Sequence, residues 1–220
     1  MLNALAASLV QAFFLERDRF KFLVRNKTSE ELAEILENVL NLYANDKNSS
    51  MLREWVVLYI AGCNQRSEKI GYNGYRGDIP YEVKPRNVCS DEPKHKRLNG
   101  DGNFTDFTYE RLEKYLQDRL RVLVAGFVDG NLLYILEVPI ESLQNRLRQQ
   151  LERKFKEGRP SGVFLRSARF SFRDYQNDSR VQCLFLHPRW RDYYEHLTRP
   201  FRKYLESIEG TQRCPSQPNS

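Results

Sequence analysis

Apolar residues return every three or four positions from Leu2 to Val24, with Leu2, Leu5, Leu9 and Phe13 on one stripe, and this spacing predicts a first helix. Thr28 followed by Glu31 announces a second, through a reciprocal capping pattern, and Leu32, Ile35, Leu36, Val39 and Leu40 form its stripe. Ser49 or Ser50 is placed to cap a third, which turns Leu52, Trp55, Val56 and Tyr59 inward and ends near Gly62. The texture then changes. Glycines at 71, 74 and 77 punctuate a turn-rich stretch, Tyr81 to Lys84 reads as a strand, and Pro85 to Gly102 as a long polar loop. Thr108, with Glu110 and Glu113 behind it, suits the start of a helix reaching about Asp118. Two apolar runs, Arg121 to Val128 and Leu132 to Val138, flank Asp129-Gly130 and predict a hairpin with a type I′ turn.

A basic amphipathic helix is expected from about Glu141 to Lys156. Val163 to Tyr175 and Arg180 to Leu186 read as a second strand pair turning at Gln176 to Ser179. A last helix spans Arg191 to Ile208, interrupted or restarted at Pro200. The order predicts an α/β (α+β) fold, a central mixed sheet flanked by helices. No linker composition divides it, so one domain is expected over residues 1–210, with a helical segment at about 1–62, a core at about 70–140 and a flexible tail at 211–220.

Composition narrows the class. At 220 residues, with 40% hydrophobic, 29% charged and 12% aromatic residues, the chain is too long to need stapling and too apolar to be disordered. The longest apolar run, Trp55 to Ala61, is far too short to cross a bilayer. The segment from Leu2 to Leu15 lacks the basic start of an export signal, so a cytoplasmic, prokaryotic setting without a membrane is expected. On that expectation the N-x-S/T triplets at Asn26, Asn48, Asn103 and Asn177 and the Arg76-Gly77-Asp78 tripeptide are chance matches. The cysteines at 63, 89, 183 and 214 show no metal-binding or disulfide spacing and read as reduced thiols. His95, His187 and His196 are isolated from any serine or cysteine nucleophile, which argues against a hydrolase triad.

Thirty-five basic against 29 acidic residues give a net charge of +6. The excess is concentrated between Arg146 and Arg173, where Arg146, Arg148, Arg153, Lys154, Lys156, Arg159, Arg166, Arg169 and Arg173 face only Glu152 and Glu157. A polyanion is the natural partner of such a field.

The sharpest chemical feature is Gly77-Asp78-Ile79-Pro80-Tyr81-Glu82-Val83-Lys84. On a strand Glu82 and Lys84 share a face about 7 Å apart. A carboxylate there suits a hard divalent cation such as Mg²⁺, and the neighbouring ammonium can position a water and offset charge on a phosphate oxygen. Asp78 with Glu82-x-Lys84 resembles the signature of the PD-(D/E)xK nuclease superfamily, and its surroundings resemble type II restriction endonucleases. The resemblance covers about Gly71 to Val138, because Glu82-Val83-Lys84 is followed by the Thr108 helix and the 121–138 hairpin, as in that superfamily's core.

The resemblance implies a Mg²⁺-dependent endonuclease acting on specific double-stranded DNA, with Asp78 and Glu82 as metal ligands and Lys84 beside the attacking water. It also implies a homodimer, since cutting both strands of a palindrome suits two-fold related subunits, and a cognate DNA methyltransferase. One departure is plain: the first acid sits only four residues before Glu82, and on one straight strand the two would be about 13 Å apart. Proline is confined to strand starts, edges and bulges, so the strand is expected to begin at Tyr81 with Asp78 folded back. Glu54 and Glu68 are the reserves.

For DNA binding, two segments stand out. Arg166, Arg169 and Arg173, interleaved with Phe170 and Phe172, suit a ribbon that buries one aromatic face and offers arginines to phosphates or guanine edges. The loop after the catalytic strand supplies Arg86, Asn87, Lys94, Lys96 and Arg97. The rival readings are a DNA- or RNA-binding protein without activity and a repair or structure-selective nuclease.

Overall fold

A computed structural model describes residues 4–44, 50–65, 71–88, 97–155 and 163–209. Glu68, Cys89, Lys94, His95, Lys96, Cys214 and the 211–220 tail lie outside the described residues. The chain opens with α1 (Ala4–Leu15), α2 (Arg17–Arg25), α3 (Ser29–Ala44) and α4 (Met51–Ile60), followed by β1 (Asn64–Gln65), β2 (Gly74–Arg76), β3 (Ile79–Val88) and β4 (Gly102–Phe107). Then come α5 (Tyr109–Gln117), β5 (Arg121–Val128), β6 (Asn131–Pro139), α6 (Ile140–Lys154), β7 (Leu165–Phe170), β8 (Gln182–Leu186) and α7 (Arg199–Glu209). Short 3-10 turns fill Phe172–Asp174 and Trp190–His196. The fold is α+β: a six-stranded mixed sheet of order β1-β2-β3-β5-β6-β8, flanked by helices, and a two-stranded sheet of β4 and β7.

Among the described strands only β3 and β5 run parallel, joined by a crossover through β4 and α5, since a parallel pair cannot be closed by a hairpin. Every residue of β5 after Arg121 is buried, as expected of a central strand covered on both faces. Its side chains alternate. Val122, Val124 and Val128 join the core formed with α5, α6, α7, β4 and β7, whereas Leu123, Ala125 and Phe127 join Ala7 and Val10 of α1 and Trp55 to Leu58 of α4. The helical N-terminus therefore shares a core with the sheet.

Several local signals form as their chemistry dictates. Thr28 Oγ1 accepts from the Glu31 N–H at 3.2 Å while Glu31 accepts from the Thr28 N–H at 2.9 Å, and Thr108 caps α5 by accepting from the Arg111 N–H. Asp129 and Gly130 both have positive φ, 49° and 74°, which defines the type I′ turn and explains the glycine. Among the described residues no helix is long and apolar enough to cross a membrane.

Other expectations are corrected. The first helix breaks at Glu16, which is extended at φ −147°; apolar α1 sinks into the core, while charged α2 fully buries no residue and only lays Phe20, Leu23 and Val24 against the cluster of Ala6, Leu9 and Ile35. Leu36 (57% exposed) and Tyr59 (47%) point outward, because Ile35 and the four consecutive residues Trp55 to Leu58 take the core positions.

The expected pair of 163–175 with 180–186 does not form. Ser171 and Asp174 close a reciprocal cap that ends β7 at Phe170, so β7 pairs with β4 and β8 with the free edge of β6. The last helix starts only at Arg199, because Leu197 bridges to Leu98 instead.

Candidate functional site

The site is built where the sheet forks. β2 and β3 are a tight hairpin, with Gly74 opposite Tyr81 and Arg76 opposite Ile79, and β2 ends there. From Glu82 onward β3 is paired with β5 on one side and has lost β2 on the other. Asn73, the residue just before β2, closes the gap: its Oδ1 accepts from the Val83 N–H at 2.7 Å. Its Nδ2 donates to Glu54 Oε2 at 3.0 Å, which ties α4 to the fork. The Asn73 segment is held in turn by Tyr72, whose hydroxyl donates to Asp118 at 2.5 Å at the end of α5. That hydrogen bond keeps the Asp118 carboxyl below its ordinary pKa, and burial, reinforced by the same bond, raises the Tyr72 phenol.

Backbone direction alternates along a strand, so the Val83 contact also fixes where Pro80 points. Its ring nitrogen faces away from β2, toward the side where β5 begins only opposite Tyr81. Proline therefore costs no ladder bond here, and the strand starts at Ile79, not Tyr81. This corrects the geometry expected of Asp78. It is exposed in the turn at the far tip of the hairpin, about 13 Å of extended chain from Glu82, and the structure does not bring the two together.

Glu82 and Lys84 do come together. Opposite Val122 and Val124, both project to the face covered by α5 and β4, and Lys84 Nζ lies 2.8 Å from Glu82 Oε1 with side chains only 17% and 11% exposed. The ammonium also sits 4.7 Å from the centroid of the Phe104 ring. Tyr115 is the nearby phenol: burial, and then the Glu82 charge, push its pKa up to about 12. Gly102 makes this packing possible, because a Cβ there would stand 2.4 Å from Phe170 and 3.1 Å from the Lys84 Cβ.

Lys84 opens onto a cavity of about 730 Å³ whose walls include Glu54, Arg86, Asp101, Asn103, Thr105, Ser167 and Arg169. Arg86 pairs with Asp101 through Oδ2, and the other oxygen, Oδ1, is buried with no hydrogen-bond partner. A second cavity of about 740 Å³ continues along the β4–β7 ribbon past Arg166 and Arg169. The ribbon is clamped from behind. Gln150 of α6 donates to the Arg169 carbonyl at 2.8 Å and accepts from the Arg169 N–H at 2.9 Å.

Of the expected DNA contacts, Arg86 and Arg169 therefore line the first cavity and Arg166 the second. Asn87 turns away, accepting from the Gly130 N–H at 3.1 Å and fixing the hairpin turn. Arg97 and Arg173 are exposed but line neither cavity. Asn73, Asp101, Asn103 and Gln150 were not singled out by the sequence. No motif marks these residues for this site, and only the fork and the ribbon pairing give them their neighbours.

Among the described residues no three His, Cys, Asp or Glu side chains converge as a ready-made cage. Magnesium does not need one, since it binds through one or two carboxylates and retains its waters. The wall offers a carboxylate at Glu54 and an unpartnered acceptor at Asp101, and Glu82, which is not itself part of the wall, pairs with the Lys84 that is. Cys63 and Cys183 are free thiols, and burial pushes the Cys63 thiol up to about 11, so Cys63 offers no thiolate. No family model matches this chain, and no curated protein is significantly similar to it.

Proposed function

We propose that the protein is a Mg²⁺-dependent endonuclease of the PD-(D/E)xK kind, resembling type II restriction endonucleases, that hydrolyses phosphodiester bonds in specific double-stranded DNA. The observation that carries this reading is the Glu82–Lys84 pair at the open edge of β3, whose lysine faces one polar cavity together with Glu54 and Arg86. The strand–helix–parallel strand path of β3, α5 and β5 supports it.

In this reading Glu82 and Glu54 would hold the cation, Glu54 taking the place expected of Asp78. A bound Mg²⁺ supplies a polarised water and charge neutralisation at the phosphate. Lys84 orients that water and faces the scissile phosphate, while Phe104 and the Gly102 backbone pin its stem. Arg86, held by Asp101, presents positive charge to the phosphate backbone. Cleavage of both strands calls for a homodimer, and protection of the host's own sites calls for a cognate methyltransferase.

The test is a gel of long duplex DNA incubated with the protein in Mg²⁺ or in EDTA. Discrete, metal-dependent fragments are expected, and Glu82→Ala should abolish them while duplex binding persists. A mobility shift with no cutting in Mg²⁺ would instead identify a binding protein, and cutting restricted to forks or mismatches a repair enzyme.

A further inference from the structure

The β4–β7 ribbon has two unlike faces. Phe104, Phe107, Ala168 and Phe170 are buried in the core, while Asn103, Thr105, Ser167 and Arg169 line both cavities. These four stand as two cross-strand rungs, Asn103 opposite Arg169 and Thr105 opposite Ser167. Gln150 takes the outward N–H and C=O of Arg169, so those groups do not bond β4, and the Asn103–Arg169 rung is the closer, non-hydrogen-bonded kind, with Cα atoms about 4.5 Å apart. None of the four side chains has a hydrogen-bond partner among the described residues. Three of the four are neutral, which is a poor composition for attracting phosphates and a good one for reading hydrogen-bond patterns.

We infer that this outward face reads base edges in the major groove of double-stranded DNA, with Asn103 and Arg169 as a purine-reading pair. The inference rests on the endonuclease reading and names the residues that give it sequence preference. A two-stranded ribbon fits the major groove of B-form DNA, about 12 Å wide, but not the deep, narrow groove of A-form RNA. An amide pairs in bidentate fashion with adenine N6 and N7, and a guanidinium with guanine O6 and N7. The rungs are about 7 Å apart, two base-pair steps at 3.4 Å each, so the Thr105–Ser167 rung meets the site two pairs further on. The Gln150 clamp and the aromatic backing hold the reading groups in place before DNA arrives, which reduces the ordering cost of binding.

Mapping of cut sites in a randomised duplex pool with Mg²⁺ tests this for the wild type, Asn103→Ala, Arg169→Lys and Arg166→Ala. Asn103→Ala should lose about tenfold or more of the discrimination at one base pair. Arg169→Lys keeps the charge but not the fork, so it should relax preference at a neighbouring pair while the salt dependence of binding stays unchanged. Arg166→Ala should weaken all sequences alike. If Asn103→Ala and Arg169→Lys cut with the wild-type preference, the inference falls and the endonuclease reading survives. A wild type that neither binds nor cuts duplex DNA overturns both.

Discussion

Two carboxylates are buried in the large sheet, Glu82 at 9% exposure and Glu137 at 4%, and their surroundings are opposite. Glu137, on β6, receives one group from each of three successive strands on one side of it in the sheet, β5, β3 and β2. Arg76 of β2 lies at 2.9 Å, the Tyr81 hydroxyl of β3 donates from 3.3 Å, and Arg121 of β5 is 3.8 Å away. Arg76 also donates to the Ala61 carbonyl, so the charges form a line across four strands that ties the β2–β3 hairpin to the sheet. Glu82 has one cation, from its own strand, and it is that lysine which lines a cavity. A carboxylate whose lone pairs are taken up by two cations and a hydroxyl from other strands is a structural clamp. One with a single cationic partner keeps lone pairs for a ligand.

The contrast can be broken in stages. Glu137→Ala should cost about 2–3 kcal/mol in urea unfolding, below the usual range for a broken buried pair because Arg76 and Arg121 can still reach water. The surviving folded fraction should keep full cleavage activity. Asn73→Ala leaves the Val83 N–H without its acceptor and should cost about 1–2 kcal/mol, with Asn73→Asp, which preserves that acceptor, recovering most of it. Replacing Glu82 and Lys84 together by methionine should leave stability unchanged or raise it by up to about 1 kcal/mol while eliminating cleavage; a loss like that at Glu137 would make the pair structural.

The smallest effect is a pH dependence that neither carboxylate causes. Burial, aided by Arg189, lowers the pKa of His187, whose Nδ1 accepts from the Arg189 N–H at 3.1 Å. The unfolded chain takes up its proton near pH 6.5 and the folded chain only at lower pH. Stability from this group is therefore complete above that range and is lost as pH falls through the folded value. Between pH 7 and 5 the wild type should lose more stability than His187→Gln, measured by paired urea titrations.

The parts legible in the sequence are those governed by neighbours along the chain. Thr28 with Glu31, Thr108, and Asp129-Gly130 each determine a local geometry through their own side chains or φ angles, and the 121–138 hairpin forms where its turn residues place it. Glu82 and Lys84 were legible as a pair for the same reason, since two residues of one strand share a face. Strand partnership was not legible: β7 and β8 look like a hairpin by alternation alone, but β6 offers β8 a free edge and β4 gives Phe170 an aromatic neighbour. Nor was the place of Asp78, because a proline is read as a strand break unless the side on which its nitrogen falls is known. Glu54 reaches the site from a distant helix through a single amide, a contact that periodicity cannot register.

The fork at β3 has one further consequence. A strand with an open flank is a template on which a foreign strand could add, and this one is ten residues long. The residues whose amides face outward alternate from Val83: Val83 itself is occupied by Asn73, and the next, Pro85, has no N–H at all. Two successive amide docking points are removed, which makes this open flank a poor template for self-association into fibrils.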